Sequence, residues 1–410
     1  MPTSPPDQLL SLDEALARLL AVVQPLGAVE TVSTFDALGR VLAADVASLL
    51  DVPPADNTSM DGYALRAADV PAAGTVLPVS QRIPAGVVGT PLSPGTAARI
   101  FTGAQVPVGA DAVVMQEVCE VVDGGVRIDT VPKPGQWVRR RGEDVRHGSV
   151  VLERGARLTP QALGLAASVG AATLTVARRP RVGLMSTGDE LVMPGEPLRP
   201  GAIYNSNRYT LRALVTAAGC ECEDFGIIPD SLAATREALR RAAAGCDLVV
   251  SCGGVSVGEE DYLRPAVQAE GRLDLWKVAL KPGKPLAFGE LRRANGSHAW
   301  LIGLPGNPVS SFVAFVLAVR PVLQRLQGGA GKAAGAIAAR ADFDWPTPDR
   351  RREFLRVRRN ADGGLELFAN QSSGVLTSTV WGDGLVDNPA GQAIRRGDAV
   401  RYLPFAELVT

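Results

Sequence analysis

Residues 247–262, DLVVSCGGVSVGEEDY, join an apolar run to a glycine-rich turn and then to a cluster of carboxylates. Leu248, Val249 and Val250 show no polar alternation, the pattern of a short strand buried on both faces. The glycines that follow allow backbone N–H groups to approach a ligand closely. Glu259, Glu260 and Asp261 stand where a helix should begin, as caps or as ligands of a cation. The same succession recurs in RVGLMSTGDEL (181–191) and in AWLIGLPGNPVSSFVAF (299–315). Three strand–loop–helix units predict a parallel-rich sheet whose loops share one crevice at the carboxyl ends of the strands.

Around that unit the chain divides by pattern. Residues 7–24 carry apolar side chains at helical spacing (Leu9, Leu12, Leu16, Leu19, Leu20, Val23), with Ser11 or Asp13 as cap and Pro25 and Gly27 as stop signals. Residues 51–145 read as short β segments broken by Gly and Pro, an all-β domain whose loops bear Asp61, Thr102 and Asp144. In SMDGYA (59–64) the Asp-Gly pair demands a tight turn. A helix at residues 158–169 is expected to pack on the N-terminal one, so that 1–50 and 146–178 form one discontinuous, mixed helical domain with the β domain inserted. Residues 179–327 carry the α/β pattern, and a Gly/Ala linker separates them from a β-rich tail, 337–410, expected to form a small barrel bearing Arg352 and the loop NQSSG (370–374).

Composition narrows the chemistry. A net charge of −1 over 410 residues gives no electrostatic ground for nucleic-acid or membrane binding, so any anion site must be local. Five scattered cysteines without a CxxC pair, and two histidines, argue against a zinc site or a disulfide framework. A metal here would be a hard, oxygen-liganded cation such as Mg²⁺. No secretory signal opens the chain, and Pro160, Gly164 and Gly170 break its weakly polar stretch, so a cytoplasmic protein is expected. Only five of the 42 basic residues are lysines, and three of them, Lys277, Lys281 and Lys284, cluster. In an arginine-rich chain that clustering points to a need for compact point charges. In GLPGNP, Asn307 reads as a helix cap, with Pro308 at the first position and Ser310 and Ser311 in the first turn: punctuation, or an anion seat beside Lys281 and Lys284. No serine–histidine or cysteine–histidine nucleophile is evident. The residues by themselves predict Mg²⁺-dependent work on a phosphorylated or otherwise oxyanionic small molecule.

The ordered set SMDGYA, TGAQVP, GEDVRHG, STGDEL, YNSN, GGVSVGEEDY, KPGKP, GLPGNPVSSF and NQSSG resembles the MoeA/gephyrin E-domain family of molybdenum-cofactor biosynthesis. The resemblance implies a molybdopterin molybdenumtransferase that inserts molybdate into adenylylated molybdopterin with Mg²⁺-dependent release of AMP. It implies a homodimer of four-domain subunits around a MoaB/Mog-like α/β domain, each site shared between two copies, and contact with the upstream adenylyltransferase. Carried over by motif, Asp61, Thr102, Asp144, Glu190, Asp230 and Asp261 resemble the functional polar set, with Glu190, Asp230 and Asp261 assigned to Mg²⁺. Lys277, Lys281, Lys284, Ser310, Arg352 and Ser373 resemble the oxyanion-binding set. Two other readings are a molybdopterin adenylyltransferase, which resembles the central domain alone, and a cofactor carrier or scaffold without activity.

Overall fold

The computed structural model describes residues 9–254, 262–283, 285–329 and 335–409. Asp261 and Lys284 lie outside the described residues. The chain forms two compact units, one of Met1–Glu30, Gly39–Val41 and Val176–Thr410, the other of Thr31–Leu38 and Leu42–Thr175.

The first unit is organised on a seven-stranded sheet. All five residues of the strand Leu248–Cys252 are buried. It lies parallel to Arg181–Thr187 on one side and to His298–Leu304 on the other, with Leu184 opposite Val250 and Val250 opposite Ile302. Glu221–Ile228 adds a parallel strand beyond Arg181–Thr187. Beyond His298–Leu304 come Pro285–Arg292 and Gly271–Val278, each antiparallel to its predecessor. The alternation expected of a strand covered on both faces is present: Leu248 and Val250 enter one apolar core, Val249 the other. Each such fully buried aliphatic side chain contributes about 1.5–3 kcal/mol. Arg181–Thr187, first in sequence of the four parallel strands, sits between the second and third. That reversal of order opens a crevice at their carboxyl ends.

The apolar stripe of the N-terminal helix finds its partner in this sheet unit. Leu12–Val22 is capped by Ser11 in a reciprocal capping box with Glu14. Leu12, Ala15, Leu19 and Val23 share a core with Val319, Val322 and Leu326. Just before the helix, Leu9 and Leu10 extend the sheet by pairing with Lys277 and Val278. The helix Pro160–Ser168 belongs to the other unit. Periodicity identified both apolar faces, but it carries no information on which face meets which.

Pro308–Leu326 is the one helix among the described residues with the length and apolarity to cross a bilayer, and it is mostly buried in the protein core. It widens to π geometry at Phe315–Val319. In the tail, Arg352–Arg359 pairs with Gly384–Asn388, which pairs with Ala399–Pro404, which pairs with Ile337–Arg340. Leu365–Leu367 lies on the other side of Arg352–Arg359, and a bridge from Ala341 to Leu365 closes the circuit around Leu355, Val357, Val386 and Tyr402. Leu280–Lys281 pairs with the start of Arg352–Arg359.

The second unit is built on short sheets. Gly62–Leu65 lies between Ala97–Ile100 and Ala112–Met115, with Val79–Ile83 outside Ala97–Ile100. Only glycine fits at position 62, where an added Cβ would stand 1.8 Å from the Val114 carbonyl oxygen.

Candidate functional site

The crevice at the switch point of the sheet encloses about 940 Å³. Its floor is the turn Gly253–Gly254 after the central strand, and its walls are the loops after the neighbouring strands. Gly253 has φ +91°, and a Cβ there would lie 2.7 Å from the Thr187 carbonyl oxygen. The two loops can cross this closely only at a glycine. Glu190 and Asp230 line the crevice from separate loops. A reciprocal latch joins those loops: the Asp189 N–H donates to Asp230 Oδ2 at 3.0 Å, and the Asp230 N–H donates to Asp189 Oδ1 at 3.3 Å. Among the described residues no three His, Cys, Asp or Glu side chains converge as a metal site. Glu190 and Asp230 nonetheless place two hard oxygen donors in the crevice.

Ser310 and Ser373 line the same crevice; Ser310 is 2% exposed, and Ser373 comes from the loop before the helix Thr377–Trp381. The helix start expected to be an anion seat is more committed than its sequence implied. Val309 N–H donates to the Ser373 carbonyl at 3.0 Å, and the Ser311 hydroxyl donates to the Pro308 carbonyl at 3.0 Å. The Val309 bond ties the tail to the first turn of Pro308–Ala314. Cys252 borders the same space, but burial pushes its thiol up to about 11, which leaves it inert as a nucleophile near neutral pH.

None of Lys277, Lys281 and Arg352 lines the crevice. Lys277 lies in Gly271–Val278, opposite Leu9. Lys281 Nζ is 3.1 Å from Glu353 Oε1 and 3.4 Å from Asp349 Oδ2. Arg352 donates two bonds to the buried Asp387, at 2.6 and 2.7 Å, and two to Asp13, at 3.0 and 3.1 Å.

Asp61, Thr102 and Asp144 lie in the second unit. The Thr102 N–H and hydroxyl both donate to Asp61 Oδ1, at 2.8 and 2.7 Å, and they hold the carboxyl below its ordinary range. Beside this pair, Arg99 and Arg82 each stack 4.5 Å from the centre of the Phe101 ring. Asp144 borders a separate groove of about 510 Å³ with Arg140, Arg141 and Arg146. Arg140 and Arg141 are engaged there by Asp56 and Asp51.

Residues 10–170 match the MoeA N-terminal region (domain I and II), residues 183–325 the probable molybdopterin binding domain, and residues 338–405 the MoeA C-terminal region (domain IV). A molybdopterin molybdenumtransferase of Haemophilus influenzae is 42% identical over 321 residues, 78% of each chain. The chain belongs to the MoeA family. Another relative, molybdopterin molybdenumtransferase 2 of Mycobacterium tuberculosis, is 38% identical over 91% of this MoeA chain and 93% of its own length. The crystal structure of the MoeA protein of Pyrococcus horikoshii OT3 is similar with a TM-score of 0.83 at 29% identity, covering 97% of this chain and all of that one.

Several residues that shape the MoeA crevice escaped the sequence reading. Asp189 supplies half of the loop latch. Asn207 donates to the Gly306 carbonyl at 2.6 Å and contacts Cys252 Sγ at 3.1 Å, fixing the PGNP turn. Asn205 caps Ser206–Ala217 through the Arg208 N–H. The Asn205 Nδ2 and the Ser186 hydroxyl are buried in the crevice wall without a hydrogen-bond partner among the described residues. The motif YNSN held both asparagines, but only their placement beside the glycine turn separates them from ordinary helix caps.

Proposed function

We propose that this chain is a molybdopterin molybdenumtransferase, which inserts molybdate into adenylylated molybdopterin and releases AMP in molybdenum-cofactor biosynthesis. The observation that carries the reading is the crevice at the switch point, lined by Glu190, Asp230, Ser310 and Ser373 together. It occurs in a chain aligned over most of its length with transferases of that name. A carrier or scaffold would have no need of acidic groups held by cross-loop hydrogen bonds. An adenylyltransferase built on the central domain alone would not account for matches on both flanks of it.

Glu190 and Asp230, with Asp261, are assigned to Mg²⁺. The fit is chemical: Mg²⁺ prefers oxygen ligands, retains waters, and takes one or two carboxylates together with substrate phosphate. Bound there, it would neutralise charge on the phosphoanhydride oxygens as AMP departs. Ser310 and Ser373 direct hydroxyls at the molybdate or phosphate oxygens. Lys277, Lys281, Lys284 and Arg352 are assigned to the substrate oxyanion in this reading, and Lys281 and Arg352 are each held by carboxylates in this structure. In the proposed homodimer, Asp61, Thr102 and Asp144 are supplied by the other copy. Exposed apolar side chains such as Phe35 and Leu49 support the existence of a surface that a second copy covers. The proposed architecture has a discontinuous domain of 1–50 and 146–178, with 51–145, 179–327 and 337–410 as separate domains. The proposed setting is the cytoplasm, with substrate handed over by the adenylyltransferase.

The direct test incubates purified protein with adenylylated molybdopterin, molybdate and Mg²⁺ and measures free AMP by chromatography. AMP should appear only when all components are present. Protein that leaves the adenylyl group in place would sink the reading, and a strictly monomeric, fully active preparation would sink the shared site.

A further inference from the structure

The loop that brings Ser373 and Gly374 to the crevice is held from behind by Arg356, a residue the sequence reading passed over. Arg356 lies in Arg352–Arg359, two positions beyond Phe354 and on the same face; Leu355 and Val357 point into the closed β core. It is 1% exposed, and its desolvated guanidinium is pushed down to about 10. Nε donates to the Ser378 hydroxyl, Nη1 to the Phe354 carbonyl and Nη2 to the Ser372 carbonyl, each at 3.2 Å. All three acceptors are neutral, and among the described residues no carboxylate pairs with it. Arg352, on the same face, is the reverse case, neutralised by both Asp387 and Asp13.

A buried charge without a counter-ion is costly, and a loop does not require charge to keep its shape. Gln371 already pins this one with neutral bonds: its Nε2 donates to the Arg356 and Phe368 carbonyls at 3.0 and 2.9 Å, and its Oε1 accepts the Arg356 N–H at 2.9 Å. The geometry points to Arg356 as a positioning residue whose uncompensated positive charge, lodged behind Ser372 and Ser373, raises the affinity of the crevice for the substrate oxyanion. It acts through Ser373, whose carbonyl also holds the Val309 N–H. The inference rests on the transferase reading for the identity of that anion.

Two variants separate charge from shape: Arg356→Lys retains the charge, and Arg356→Gln retains donors without it. Each is titrated calorimetrically with inorganic molybdate at two salt concentrations, while hydrogen exchange of residues 370–376 reports the loop. The expected result is binding by wild type, an affinity for R356K within about threefold of it, and a loss of about tenfold in R356Q. Loop protection in R356Q should stay unchanged, and its affinity should depend less on salt than that of wild type. Equal affinity in wild type and R356Q, or no binding by wild type, overturns the inference. So does a loss in R356Q that comes with loss of loop protection and is not rescued by lysine, since that describes a purely structural pin. Should R356Q fail to fold, R356K decides, because a tenfold loss there counts against a role for charge. Molybdate affinity that follows the charge in a protein unable to release AMP would remove the functional reading and leave this one standing.

Discussion

Glu190 and Asp230 reach their crevice from loops that follow two neighbouring parallel strands, whereas Asp61 is fixed by one residue, Thr102, from another loop of the second unit. In the crevice, chain segments distant in sequence are brought together by sheet topology and closed by the Asp189–Asp230 latch. In the β unit, a backbone amide and a hydroxyl from the same residue satisfy a single, exposed oxygen. Both arrangements join loops 41 positions apart; the first latches two loops of the parallel sheet through reciprocal bonds, and the second rests on the single residue Thr102. Substitutions should therefore report differently from the two regions.

The largest effect is expected where backbone approaches backbone in the β unit. Gly62→Ala drives a Cβ into the Val114 carbonyl and should destabilise by about 3 kcal/mol, read by denaturant unfolding. Gly253→Ala, strained by its left-handed backbone and its contact with Thr187, should cost about 2 kcal/mol and weaken ligand binding as well. If Gly253→Ala leaves binding intact, the crevice tolerates loop movement and the contrast between the regions is weaker than drawn. Glu190→Gln should slow AMP release roughly a hundredfold with little change in melting temperature, which separates chemistry from scaffold.

Thr102→Val removes the hydroxyl bond to Asp61 and should raise the Asp61 pKa, observable by carbon NMR. The sign of the pH effect follows from the lowered native value. The stabilisation by Thr102 is present above the unfolded-state pKa and is lost as pH falls through the native one. Wild type and variant should thus converge in stability in acid, and a constant gap would refute the link. The smallest effect is expected at the thiols. Burial raises Cys246 to about 12 and Cys119, Cys222 and Cys252 to about 11, so none of the four should react with a thiol reagent at pH 8 until the protein unfolds.

Much of the fold was legible because it follows from short-range pattern. The run Leu248–Val250, the glycines after it and the helix start at Pro308 were all readable within a few residues of one another, and each appears as read. The site was legible in part. Glu190, Asp230, Ser310 and Ser373 meet at one crevice, while Asp61, Thr102 and Asp144 belong to another unit. The hydrogen-bonding roles of Asp189 and Asn207 were not legible, because they arise from contacts with residues 41 and 99 positions away.

Sequence alone determined where chain direction, turn and carboxylate coincide, since the periods of strand and helix and the conformational freedom of glycine are local properties. Tertiary structure decided which charges remain uncompensated. Lys281 and Arg352 are held by Glu353, Asp387 and Asp13, whereas Arg356, unremarkable in RREFLRVRR, has no carboxylate partner among the described residues. The net charge in a site is a sum over neighbours brought together by folding, and residue order does not contain that sum.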